Sequence, residues 1–177
     1  MSRLAPYLVI ARVLKPQGIA GELKLKPITD DAERFLSLRH VFVPAPNDQM
    51  KKLKFRALRV HDGFVYAKLE GVFTRDDAEK MRDVVLYIDR DNAVELPEGR
   101  YFVVDLMGCT VLDSKGEALG TLKEIIQTGA NDVYIIQGEN GQWMLPALKK
   151  LLKRVDVEEG VVQIDESGLL EVDEGAY

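Results

Sequence analysis

Short runs of alternating apolar and polar side chains, separated by turn-forming residues, dominate the chain. Residues 7–14 are apolar with β-branched members. Residues 22–26 alternate, with Leu23 and Leu25 on one face and Glu22, Lys24 and Lys26 on the other. Residues 41–43, 52–57, Phe64–Leu69 and 84–88 read as further strands, and Asp62-Gly63 is a hairpin turn signal. Two short helices interrupt them. Thr29-Asp30-Asp31 supplies N-cap chemistry for a turn through Phe35 and Leu36. Thr74-Arg75-Asp76-Asp77 has the form of a capping box, with Asp in place of Glu, for a helix carrying Ala78 and Met81 inward.

The second half repeats the style as three hairpins. Residues 108–112 and Ala118–Ile126 flank Asp113-Ser114-Lys115-Gly116. Residues 132–137 and 142–145 flank 138–141. Residues 155–157 and Val161–Ile164 flank Glu158-Glu159-Gly160. Short, evenly spaced strands predict an all-β protein with short helices: two small β-barrels joined by a short linker. The polar stretch Asp89-Arg90-Asp91-Asn92-Ala93-Val94-Glu95-Leu96-Pro97-Glu98-Gly99 has no sustained period. It divides the chain into a six-stranded barrel over 1–90, a linker over 91–99, a second barrel over 100–170 and a disordered tail over 171–177.

Charge sharpens that division. The net charge of the 177 residues is −5, but residues 1–96 hold 17 Lys and Arg against 14 Asp and Glu, and residues 97–177 hold 7 against 15. A basic half and an acidic half point to two surfaces for two partners, unless charge is merely scattered unevenly. The one cysteine, Cys109, cannot form an internal disulfide. Residues 1–7 lack an apolar signal core, and no apolar run approaches the ~18 residues of a membrane span, so a cytoplasmic location is expected.

Little in the chain points to catalysis. It contains neither a GxxxxGK phosphate loop nor GxGxxG. His40 and His61 lack neighbours at metal-ligand spacing, so neither a metal nor a cofactor is expected. Asp30-Asp31, Asp76-Asp77 and Glu158-Glu159 stand at helix starts or turns, where capping and solvation account for them.

Three stretches carry more information. Lys15-Pro16-Gln17-Gly18-Ile19-Ala20-Gly21-Glu22-Leu23-Lys24-Leu25 is a glycine-punctuated loop feeding a strand, whose glycines permit backbone angles or close approaches that a Cβ forbids. Lys51-Lys52-Leu53-Lys54-Phe55-Arg56-Ala57-Leu58-Arg59 is a positive stripe. Alternation places Lys52, Lys54 and Arg56 on one face and Leu53, Phe55 and Ala57 on the other. Such a stripe contacts phosphates, or it is a solvated or lysine-guarded strand face. Tyr101-Phe102-Val103-Val104-Asp105-Leu106-Met107-Gly108-Cys109 is an aromatic entry into the second half. Leu119-Gly120, then Thr128-Gly129-Ala130-Asn131-Asp132-Val133-Tyr134 and Leu145-Pro146-Ala147 follow it. Gly129 and Asn131 suit a tight turn whose side chains hydrogen-bond the backbone.

In order and spacing these stretches, with Glu33-Arg34-Phe35, resemble the RimM family of ribosome maturation factors over residues 7–170. The third resembles that family's C-terminal PRC-barrel. The family typically has His where Gln17 stands and often Arg at Ala20, and it often has aromatic residues at both 102 and 103, where this chain has Phe102 and Val103. The resemblance implies a non-enzymatic assembly factor. It would bind the free small (30S) ribosomal subunit, contact rRNA and the basic head protein S-nineteen, and support 16S rRNA processing. No membrane or small-molecule substrate is implied. It places protein-partner contacts at Tyr101, Phe102, Asp105, Gly129, Asn131 and Asp132. With the basic stripe it suggests rRNA contacts at Lys15, Lys24, Lys51, Lys52, Lys54, Arg56 and Arg59. Two other readings stay open: a PRC-type scaffold of another complex, and a barrel enzyme of the flavin-reductase kind.

Overall fold

The computed structural model describes residues 3–29 and 31–171. The chain divides between Val94 and Glu95 into two units. Residues 3–5 belong with the second unit rather than the first, where the sequence reading put them.

The first unit is a closed barrel of six strands. These are β1 (Tyr7–Gln17), β2 (Glu22–Pro27), β3 (His40–Ala45), β4 (Gln49–His61), β5 (Phe64–Leu69) and β6 (Val85–Asp89), ordered β1-β2-β5-β4-β3-β6 around the ring. Alternation aims Leu23, Leu25, Val41, Val65, Leu69 and Leu86 inward, and all are fully buried. Three bulges bend the longer strands so that six suffice to close. One falls between Val9 and Ala11, one between Val13 and Lys15, and one between Phe55 and Ala57. Asp62 and Gly63 have φ of 50° and 73°, as a tight hairpin turn requires.

The expected helices form. Asp31 caps a two-turn 3₁₀ helix, Ala32–Ser37, by accepting from the Glu33 N–H at 2.9 Å, and Phe35 plugs the core; Asp30 lies outside the described residues. In α1 (Arg75–Lys80) the Thr74 hydroxyl accepts from the Asp77 N–H, and the Asp77 carboxylate accepts from the Thr74 N–H at 3.0 Å. Hydrogen bonding holds the Asp77 carboxyl below its usual range, the Thr74 side chain contributing most and the Phe73 and Thr74 N–H groups after it. Ala78 is buried, and Met81 is half-buried.

The glycine loop between β1 and β2 is held by a close backbone approach. At Gly21, where φ is 71°, a Cβ would stand 2.5 Å from the Val72 carbonyl oxygen and 2.8 Å from the Phe73 carbonyl carbon. Gly18 has a similar φ of 68° with open space beside it.

The second unit begins with α2 (Val103–Leu106). Seven strands follow: β7 (Thr110–Leu112), β8 (Ala118–Ile126), β9 (Val133–Gly138), β10 (Gly141–Pro146), β11 (Leu152–Asp156), β12 (Val161–Ile164) and β13 (Leu170–Glu171). Their order in the sheet is β11-β12-β7-β8-β9-β10-β13, and the β12–β7 pair is parallel. Leu106, Cys109, Val111, Leu122, Ile136, Leu145, Val162 and Ile164 form its core. Burial pushes the Cys109 thiol pKa up, which makes it a packing group and a poor nucleophile. Glu171 pairs with Trp143 and is strand, not tail; residues 172–177 lie outside the described residues.

Candidate functional site

The sequence-derived site residues fall into two separate regions, one in each unit. In the second unit, Tyr101, Gly129, Asn131 and Asp132 line one groove of about 540 Å³. Tyr101, Val103, Tyr134, Ala147, Leu148 and Leu152 give it an apolar floor, while Arg100 and Lys149 line it alongside Asp132. The loop 127–132 is shaped by Thr128. Its hydroxyl accepts from the Asn131 N–H at 3.2 Å and donates to the Asn131 carbonyl. The side chain that bonds this turn's backbone is thus Thr128, rather than the Asn131 singled out from sequence. The Asp132 carbonyl accepts from the Ala147 N–H at 2.8 Å, tying the loop to the wall opposite. Burial, with Asp132 and Tyr101 nearby, pushes the Tyr134 hydroxyl up to about 12, so it stays a neutral donor at physiological pH.

Two residues expected with these do not line the groove. Phe102 is the N-cap position of α2. Asp105 is 3% exposed, and its carboxylate accepts from the Ala5 N–H at 3.2 Å, so it holds the N-terminal segment rather than a partner. Arg3, which sequence reasoning passed over, completes that attachment. Its guanidinium donates to the carbonyls of Asp105 at 2.7 Å, Met107 at 2.9 Å and Val157 at 3.2 Å. It lies so close to Gly160 that a Cβ there would stand 2.6 Å from Nε. No local sequence signal marks Arg3, because its partners are backbone carbonyls more than a hundred residues away.

In the first unit the seven expected basic residues separate. The bulge between Phe55 and Ala57 shifts the phase of β4. Ala57, expected to face inward, is exposed, and Leu58 and Val60 turn toward the core side. Before the bulge, Lys54 pairs across to His40 and Lys52 to Phe42, and the Lys52 ammonium lies 5.7 Å from the Phe42 ring. Lys51 pairs with the buried Val43 and is itself exposed. Arg56, beside the bulge, covers the half-exposed Phe73 ring at 4.7 Å. After the bulge, Arg59 falls in another row altogether.

That row crosses four strands: Lys15 in β1, Lys24 in β2, Tyr66 in β5 and Arg59 in β4. The next row holds Gln17, Glu22, Lys68 and Ala57. On the other side lie the pairs Arg12–Lys26 and Phe64–His61. The Lys24 ammonium sits 3.8 Å over the Phe64 ring, and the Arg59 guanidinium 4.0 Å over Tyr66. Arg59 also forks onto Glu22 at 2.9 and 3.2 Å, and that hydrogen bonding raises its pKa. Arg12, Lys26 and Lys68 were not singled out from sequence. Arg12 shares β1 with Lys15 and Lys26 shares β2 with Lys24, but only the β1–β2–β5–β4 register sets them beside Lys68 and Arg59.

The histidines have carboxylates beside them, His40 with Asp89 at 3.3 Å and His61 with Asp62 at 3.2 Å. Asp89 is held below the usual carboxylate range, first by the Asn92 amide and then by His40. Among the described residues no group of three or more His, Cys, Asp or Glu converges as a metal site. Among the same residues, no helix is long and apolar enough to cross a membrane.

Two family models match the chain. One, described as the RimM N-terminal domain, covers residues 8–93; the other, described as the RimM PRC barrel domain, covers residues 103–168. Ribosome maturation factor RimM of Caldanaerobacter subterraneus subsp. tengcongensis is 40% identical over 156 residues, 88% of this chain and 93% of that protein. That of Desulfitobacterium hafniense is 44% identical over 149 residues, 84% of this chain and 86% of that protein. A crystal structure described as a 16S ribosomal RNA processing protein RimM from Pseudomonas aeruginosa covers 90% of this chain and 96% of its own, at 26% identity and a TM-score of 0.44.

Proposed function

The chain belongs to the RimM family of ribosome maturation factors, and from that premise we propose that it is a cytoplasmic, non-catalytic assembly factor of the free small (30S) ribosomal subunit. Its second unit takes the basic head protein S-nineteen, and its first unit takes rRNA. It supports late maturation and 16S rRNA processing by holding an unfinished region in a binding-competent arrangement. To release the finished particle it binds the assembling state better than the mature one.

The observation that carries this reading is the convergence of Tyr101, Asn131 and Asp132 on one groove in the unit that matches the family's PRC barrel. Tyr101 presents an apolar ring with a polar edge, the composition of an interface anchor, and the buried Tyr134 backs it from the core. Arg100 and Lys149 in the lining keep the groove itself from being strongly acidic. The acidic excess of residues 97–177 therefore acts mainly by steering a basic partner toward the groove.

The test is capture of purified S-nineteen by the full chain, comparing the natural protein with Tyr101→Ala combined with Asn131→Ala. Binding falls at least about tenfold if Tyr101 is an interface anchor. A melting curve run alongside shows whether the variant stays folded. Unchanged capture by a folded variant removes the groove from the interface.

A further inference from the structure

The cations of the first barrel are not spread evenly around it. Six of them share the outer face of β1, β2, β5 and β4: Arg12, Lys15, Lys24, Lys26, Arg59 and Lys68. Among the described residues of those rows Glu22 is the one carboxylate, and Arg59 neutralises it. Asp62 stands in the turn beyond, against His61. Four strands set side by side span about 14 Å, so these charges form a compact field rather than a string.

The chemistry of the face selects among polyanions. Its aromatic rings are not open platforms. Lys24 covers Phe64, Arg59 covers Tyr66, and Tyr66 is only 9% exposed. A surface that stacks unpaired bases needs bare rings. Here the rings instead hold two of the cations, Lys24 and Arg59, in place, which reduces the rotamer freedom those two lose when a phosphate binds. A compact field of cations without free rings matches the backbone of helical RNA, which proteins recognise through phosphates and shape rather than base edges.

We infer that the outer face of β1–β2–β5–β4 is a docking surface for duplex RNA, bound through its phosphates without base readout. The inference rests on the reading of the chain as a ribosome assembly factor and deepens it. It places the RNA on Arg12, Lys15, Lys24, Lys26 and Lys68 rather than on the stripe Lys51, Lys52 and Lys54.

The experiment uses the full chain and two variants that remove equal charge from exposed positions. One is Arg12→Gln with Lys15→Gln and Lys26→Gln; the other is Lys51→Gln with Lys52→Gln and Lys54→Gln. Affinity for a plain RNA hairpin duplex, an oligo-uridine strand and polyglutamate is measured against salt. The natural protein binds the duplex best. The first variant loses about tenfold or more, and its salt slope flattens by about 0.9 for each phosphate contact removed. The second variant changes less than about twofold. Equal losses in both variants, no loss in the first, or tighter binding of oligo-uridine or polyglutamate overturns the inference. Sedimentation with free small subunits separates the two levels. If the natural protein sediments with them while the first variant binds duplex normally, the docking surface is wrong and the assembly reading stands. If the natural protein does not sediment with them, the assembly reading itself fails.

Discussion

Replacing Gly21 by alanine tests whether the β1–β2 loop is fixed by a backbone contact or merely by backbone angle. Gly18 supplies the control, because its φ is nearly the same, 68° against 71°, but nothing lies within 4 Å of where its Cβ would go. A left-handed angle costs an L-residue about 1–2 kcal/mol, and the stiffer unfolded chain returns roughly 0.4–1 kcal/mol in both variants. Gly18→Ala is therefore expected to cost about 1 kcal/mol or less. At Gly21 the new methyl would meet the Val72 oxygen at 2.5 Å and the Phe73 carbonyl carbon at 2.8 Å, backbone atoms that cannot swing aside. Overpacking adds about 1–3 kcal/mol, so Gly21→Ala should cost about 2–4 kcal/mol. For a unit of this size that is a fall of roughly 10–30 °C in melting temperature. Trp143 lies in the second unit, so the first barrel is best followed in urea by the amide NMR signals of Leu23, Leu25 and Val65. Equal costs at the two glycines would refute the reasoning, as would a cost below about 1 kcal/mol at Gly21.

Two further outcomes follow from the second unit. Arg3→Ala removes three hydrogen bonds from a charged donor, one part-buried and two exposed, and should destabilise this unit by about 1–2 kcal/mol, read from Trp143 fluorescence in urea; a shift under about 0.5 kcal/mol contradicts the attachment. Tyr134 has its pKa raised to about 12 by burial, so the folded state holds that proton more tightly than the unfolded chain does. Stability is then fully present below about pH 10 and falls as pH rises toward 12, which urea unfolding of Tyr134→Phe and the natural protein, followed by Trp143 fluorescence below and above about pH 10, will show as a smaller alkaline loss in the variant.

Much of the fold was legible because alternation is a local property. Phe64–Leu69, Ala118–Ile126 and Val161–Ile164 have the bounds their patterns predict, and Thr74 with Asp77 forms the capping box its spacing announces. Bulges were not legible, because one extra residue leaves the composition of a strand unchanged. The bulge beside Arg56 therefore turned a single predicted stripe into residues of two different rows. The groove residues Tyr101, Asn131 and Asp132 were found through resemblance, and the structure brings them together. Asp105 belonged to the same motif but serves packing, because its partner is the Ala5 backbone, which has no side-chain signature. Arg12 and Lys68 were not picked out, and Lys26 was placed only on the face of Lys24, for a related reason. Strand order β1-β2-β5-β4 is a tertiary property, and charges separated by tens of residues become neighbours only through it.

As we propose, this member of the RimM family acts on the small subunit during its assembly. The most direct test is sedimentation of the full-length protein through a sucrose gradient with separated free small subunits, large subunits and joined ribosomes. The protein should travel with the free small subunits, more with immature than with mature particles, and stay at the top of the gradient with the other two. Equal association with large subunits or joined ribosomes, or none with immature small subunits, would contradict it.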